Sequence, residues 1–211
     1  HRRIALYMVR VFGGTSPRRL VFGFMCASAF LSMWISNTST TLMLLPVALA
    51  ALEKTDDMNL SGPLLLGIAY AASIGGIGTP IGTPPNMVFM GVYTEVTGGA
   101  VSFGQWMLWA IPVVLILLPI AGLWITRGVS KSGGVALPEA EAWSTAERRV
   151  LVIFSITALL WMTRKGPWGG WSEWLSLPYA NDAMVAFLAV IALFVVPSGE
   201  EDSNGDPERL L

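Results

Sequence analysis

The sequence predicts an all-α protein embedded in a membrane, and three observations carry that expectation. Hydrophobic residues make up 54% of the 211-residue chain and charged residues only 13%, with a mean hydropathy of +0.61, unlike the balance of water-soluble domains. The apolar residues are clustered, so that Met107 to Ile125 and Ala183 to Val196 contain no charge, as a hydrocarbon surrounding requires. Two further apolar runs are broken at their centres, one by polar residues and one by glycine and proline, at depths where lipid offers the backbone no hydrogen bonds.

In chain order, Arg2, Arg3, Arg10, Arg18 and Arg19 flank the short apolar stretch Ile4 to Phe12. Residues 1–19 are therefore expected to form an interfacial amphipathic helix with its basic side chains among lipid headgroups. A signal peptide is not expected, because no small-residue cleavage site follows. Residues 20–52 form an apolar run interrupted by six polar residues, Ser36-Asn37-Thr38-Ser39-Thr40-Thr41. One straight helix there would be about 50 Å long, far beyond the roughly 30 Å hydrocarbon core. Two half-helices of about 24 Å each, meeting near the midplane and returning to one side, fit better. The expected element is a re-entrant helical hairpin, with Pro46 tolerated where neighbours satisfy the freed carbonyl. Glu53, Lys54, Asp56 and Asp57 mark the exit to water.

Residues 63–92 are broken in turn by Gly75-Gly76-Ile77-Gly78-Thr79-Pro80-Ile81-Gly82-Thr83-Pro84-Pro85-Asn86. Glycine removes side-chain constraint and proline removes amide donors, so the backbone unwinds there while its apolar flanks hold it at membrane depth. A discontinuous transmembrane helix follows from that. Residues 103–126 are long enough for one further span despite Pro112 and Pro119. Residues 127–149 read as a polar loop, and residues 150–197 as two short spans, Val150 to Thr163 and Ala183 to Val196, which need flanking residues such as Ala146 or Pro197 to reach across. Residues 198–211 read as a polar tail.

Basic residues are dense before the hairpin and again between Arg127 and Arg149, while Tyr93 to Ser102 carries none. The two basic regions are therefore expected on the cytoplasmic side. Arg164 and Lys165 run against that orientation. Trp161, Trp168, Trp171 and Trp174 would then join an outer aromatic belt. The expected location is the cell (inner) membrane, crossed several times. The start at His1-Arg2-Arg3 and the polar end suggest a fragment of a longer protein.

Several function classes fall away. No basic patch interleaves with aromatics, so nucleic acid is not an expected partner. The single cysteine, Cys26, lies in an apolar run and reads as a small buried side chain. The lone His1 stands at the chain end, so no metal or acid-base centre forms around it. An enzyme built on the glycine-rich loop would need a Gly-Lys-Ser/Thr ending after a strand, and neither is present. A channel would need a continuous polar lining that these spans lack.

Two breaks at membrane depth in neighbouring segments point to a transport site. Unwound carbonyls and helix C-termini offer partial negative charge to a cation, and helix N-termini offer free amides to an anion. Serine, threonine and asparagine add neutral oxygens and donors without a full charge in lipid.

The residues at these breaks resemble a known family. Ser36-Asn37-Thr38, following Ser32 in Leu31-Ser32-Met33-Trp34-Ile35, is similar to the Ser-Asn-Thr hairpin tip of the divalent anion/sodium symporter family. Ile81-Gly82-Thr83-Pro84-Pro85-Asn86 is similar to the same family's broken-helix loop. The resemblance is strongest from Phe24 to Val92 and weak after Gly128. Just after the tip, Ser39 stands where the family often carries alanine.

The resemblance implies an elevator-type transporter, a homodimer with two inverted repeats per protomer, of which this chain holds one; the second repeat is expected elsewhere in the same protein or, alternatively, from a second half-length chain paired with this one. It implies a sodium ion (Na+) held by Ser32, Ser36, Asn37, Gly82 and Thr83. A substrate carboxylate would meet Asn37, Thr38, Thr83 and Pro84, with Thr79 and Asn86 structuring the loop. The implied activity is sodium-coupled symport of a dicarboxylate or similar dianion across the lipid bilayer. An oxyanion or proton-coupled anion transporter of the same broad architecture is the alternative.

Overall fold

The computed structural model describes residues 7, 9, 16–53, 59–129, 143–165, 170–201 and 207–210. Apart from Tyr7 and Val9, residues 1–15 of the expected interfacial helix lie outside the described residues. The chain forms two compact units, His1–Val101 with Trp106–Glu141, and Ser102–Gln105 with Ala142–Leu211.

The first unit opens with α1 (Pro17–Ser32) and α2 (Asn37–Leu52). Helix α1 starts three residues before the expected Leu20. Ser16 accepts a hydrogen bond from the Arg19 N–H and Pro17 occupies the first turn, which together start a helix. Helix α3 (Ser61–Gly76) and helix α4 (Pro84–Thr97) are separated by the glycine- and proline-rich loop. α4 continues past the expected Val92 to a left-handed Gly98, whose N–H bonds the Thr94 carbonyl.

Helices α1 and α3 run side by side in the same direction. A Cβ at Gly67 would stand 3.1 Å from the side chains of Val21 and Met25, and one at Gly75 would fall on the Ala29 backbone. Between them Ser28 Oγ donates to the Ile68 carbonyl at 2.8 Å. Small residues permit this approach, as in membrane helix pairs generally. Leu20, Phe24, Met25, Leu44, Leu64 and Ile68 form the core around the contact, and α2 contributes the buried stripe Thr40, Leu44, Val47, Ala48 and Ala51.

Helix α5 (Phe103–Ile125) continues as a short 3-10 turn, Thr126–Gly128. The stretch Phe103–Gly128, with mean hydropathy 2.4 over its most apolar window, is the one helical stretch among the described residues long and apolar enough to cross a membrane. Only 17% of that window is buried. α4 is barer still: Asn86 is its only buried residue, while Phe89, Val92 and Val96 are more than half exposed.

In the second unit, α6 (Thr145–Thr163) begins inside the expected loop 127–149, because Ser144 and Glu147 form a reciprocal capping box. The short α7 (Gly170–Trp174) and then α8 (Asp182–Val195) follow. α8 is about 21 Å long. Pro197 does not lengthen it, because the chain turns extended there: β1 (Pro197–Glu201) pairs antiparallel with β2 (Pro207–Arg209), so the expected polar tail contains a two-stranded ribbon. Arg149 fastens the ribbon, donating from Nη1 to the Pro197 carbonyl at 2.6 Å.

Buried Arg164 pairs side-on with Asp182, Nε to Oδ1 at 2.6 Å and Nη2 to Oδ2 at 3.1 Å, and donates to the Ala180 carbonyl at 3.0 Å. Of the four tryptophans expected in an aromatic belt, Trp161 and Trp171 donate their indole N–H to the Asp182 and Leu160 carbonyls. Trp174 is 72% exposed, and Trp168 lies outside the described residues.

The α1–α3 contact yields a stability prediction. Gly75→Ala is expected to cost about 1–3 kcal/mol through overpacking, read as a lower thermal midpoint of the solubilised protein. Gly91→Ala, at a position with open space, is expected to leave that midpoint unchanged or raise it.

Candidate functional site at two helix breaks

Both breaks of the first unit come to one place, because α1 and α3 lie in parallel and end together. α1 stops at Met33, whose N–H bonds the Ala29 carbonyl at 3.2 Å, and Trp34 and Ile35 both bond the Leu31 carbonyl at 3.0 Å. α2 restarts at once from Ser36. Its hydroxyl accepts from the Ser39 N–H at 3.2 Å and donates to Ser39 Oγ at 2.8 Å, a local cap that satisfies the new helix.

Asn37, the first residue of α2, links the two segments. Its Oδ1 accepts from Ser32 Oγ at 2.6 Å, and a Cβ at Gly76 would lie 2.5 Å from the same oxygen. A side chain at position 76 would have to push the Asn37 amide aside. A Cβ at Gly82 would fall on the Gly76 carbonyl and stand 2.9 Å from the Ser32 carbonyl. The loop therefore folds back over the ends of both α1 and α3.

Two side chains hold the loop in that position. Thr79, fully buried, donates its hydroxyl to the Met33 carbonyl, tying the loop to the end of α1. Asn86, in the first turn of α4, donates through Nδ2 to the Gly76 and Thr79 carbonyls, both at 2.8 Å. One amide thus bridges the end of α3, the loop and the start of α4. Trp106 of α5 adds a fourth tie, donating Nε1 to the Ile77 carbonyl at 2.9 Å, and its ring meets Phe89 edge-on at 5.7 Å.

Of the residues singled out from the sequence, Ser32, Asn37, Gly82, Thr79 and Asn86 are brought together. Ser36 is exposed, its hydroxyl engaged within its own helix cap, and Thr38 is exposed at the start of α2. Thr83 is half-buried with extended backbone before α4, making no side-chain cap bond, and Pro84 is exposed at the first position of that helix.

One residue stands out that the sequence does not mark. Thr40, a turn beyond Asn37 in α2, is fully buried with Oγ1 lacking a hydrogen-bond partner among the described residues. Its neighbour Thr41 donates back to the carbonyls of Asn37 and Thr38, as helical threonines commonly do. Nothing in the polar run Ser36 to Thr41 separates the two; only burial does.

Chemically, the arrangement sets two helix C-termini, α1 and α3, beside two helix N-termini, α2 and α4. Carbonyl, hydroxyl and amide oxygens suit a hard cation, and the N–H groups at the start of α2 suit an anion, whereas α4 begins with Pro84 and Pro85, which have no N–H, and its Asn86 N–H bonds the Thr83 carbonyl. None of the described side chains joined here is titratable.

A family model described as Citrate transporter matches residues 1–199. The chain is 30% identical to the sodium-dependent dicarboxylate transporter SdcS of Staphylococcus saprophyticus and 32% identical to SdcS of Staphylococcus aureus, each over 97% of this chain and 43% of the relative. It therefore spans less than half the length of these curated relatives. These matches cover nearly the whole chain, and the relatives are named as transporters, not enzymes. The chain belongs to the citrate transporter family.

Proposed function

We propose that this chain provides one of two inverted repeats of a membrane-embedded, sodium-coupled symporter for a dicarboxylate or similar dianion. The single observation that carries this reading is the meeting of four helix ends at Ser32, Asn37, Gly76, Gly82 and Asn86. Sodium sits against Ser32, Asn37 and the loop oxygens at Gly82 and Thr83, with Ser36 joining once its cap opens. The substrate carboxylate approaches Asn37, Thr38, Thr83 and Pro84 from the exposed side. Thr79 and Asn86 hold the loop. The α1–α2 pair is a re-entrant hairpin, and it moves with the broken helix against a dimerised scaffold.

The coupling follows from electrostatics. Bringing a dianion into a low-dielectric site without a counter-charge is strongly unfavourable. A sodium ion bound first on the adjacent oxygens supplies that charge and draws the two breaks into register. The relatives' description as sodium-dependent dicarboxylate transporters supports the choice of ion and substrate class. Proton coupling is the competing reading. It would need a titratable carrier in the site, and the described side chains there, Ser32, Asn37, Thr79 and Asn86, are all neutral.

Two variants test the reading in vesicles containing the complete transporter. Asn37→Ala is expected to abolish sodium-stimulated uptake of labelled succinate while the protein remains inserted; uptake at the wild-type rate would remove Asn37 from the site. Ser32→Ala, which takes one oxygen and the Asn37 hydrogen bond, is expected to raise the sodium concentration for half-maximal uptake about tenfold, near 1.4 kcal/mol. Uptake driven equally by a proton gradient without sodium would favour the competing reading.

A further inference from the structure

We propose that the groove between α3 and α5 binds an anionic phospholipid, with an acyl chain along the helices and the phosphate at the arginines where they end. The groove has a volume of about 690 Å³, within the range of small-molecule sites. Pro63, Leu66 and Tyr70 form one wall and Leu117, Ile120 and Trp124 the other. Each set is spaced three and four residues apart, so each wall is a continuous helix face. From Pro63 to Ile74 the groove runs about 16 Å at helical rise, enough to hold most of one acyl chain.

The charged end follows from the packing. α1 lies parallel to α3, and its first turns meet the last turns of α5: the Phe22 ring lies against Gly122, and Arg18 Nε donates to Thr126 Oγ1 at 3.1 Å. The start of α3 and the finish of α5 therefore share one end of the unit. Arg127 stands over the Trp124 ring at 3.9 Å, so a wall residue of the groove also positions a guanidinium. Arg19 is exposed in the same first turn as Arg18.

Wall and charge together select the occupant. A free phosphate would use the arginines and leave the apolar walls wet. An apolar helix would cover the walls but bring no anion of its own to the guanidinium groups. A phospholipid satisfies both, since the arginine fork suits phosphate oxygens and an acyl chain gains free energy with each methylene buried. A headgroup with a net negative charge is favoured over a zwitterionic one, whose ammonium is repelled by the same arginines. Basic pockets between membrane helices recognise anionic headgroups on this principle.

The test is independent of the transport reading. The complete transporter, purified in mild detergent, is incubated with phosphatidylglycerol, phosphatidylcholine of the same chains, or inorganic phosphate, and examined by native mass spectrometry. The expected result is at least tenfold greater retention of phosphatidylglycerol than of phosphatidylcholine. Arg18→Ala with Arg127→Ala should bring the two to the same level, while Arg18→Lys with Arg127→Lys should keep most of the preference and so separate lost charge from lost fold. Leu66→Trp with Ile120→Trp, both at exposed groove positions, should lower retention of both lipids. Equal retention by the unaltered protein, no retained lipid, retention of phosphate alone, or unchanged retention in the groove-filled variant would each overturn the proposal.

Discussion

The approach of α1 and α3 at backbone distance is the constraint on which the rest of the first unit depends. Two helices that run parallel and touch through Gly67 and Gly75 deliver their C-terminal carbonyls to the same level. The breaks that follow then lie against one another rather than apart. Glycine recurs at every further point of closest approach: Gly76 against Asn37, and Gly82 against the Ser32 carbonyl. The folded-back loop is thus made possible by missing side chains and kept in place by the hydrogen bonds of Thr79 and Asn86.

Much of this layout was legible in the residues, and the remainder was hidden for identifiable physical reasons. The two breaks announced themselves, because six polar residues and a glycine- and proline-rich dozen cannot continue a helix through an apolar run. Asn86 could be singled out from the loop motif, but the carbonyls it joins depend on a close approach between distant segments. Thr40 and Thr41 are indistinguishable as letters and differ only in which face of α2 they occupy. The start of α1 was written in Ser16-Pro17 and that of α6 in Ser144 and Glu147, yet both signals sit in stretches dominated by charge, where a loop or interfacial reading competes. The ribbon after Pro197 has no sequence signal of its own, since glycine and glutamate are poor strand formers.

The distribution of burial describes the surroundings the molecule is made for. α4 buries one residue, and α5 keeps most of its apolar length bare. In water such faces would associate; against acyl chains or further helices they are at rest. The relatives are more than twice as long as the region this chain matches. The second unit closes its own polar groups inward instead, through the capping box, the Arg164–Asp182 pair and the indole bonds of Trp161 and Trp171.

A cluster of neutral oxygens and amides with no ionisable side chain among its described members has a thermodynamic corollary. On the proposed reading, each guest acts as the other's counterion, and the protein supplies orientation without fixed charge. Whatever factor the cation adds to the anion's affinity, the anion must return to the cation's. Tight coupling can then reside in the ligands' mutual attraction, with the loop needing only to keep them adjacent.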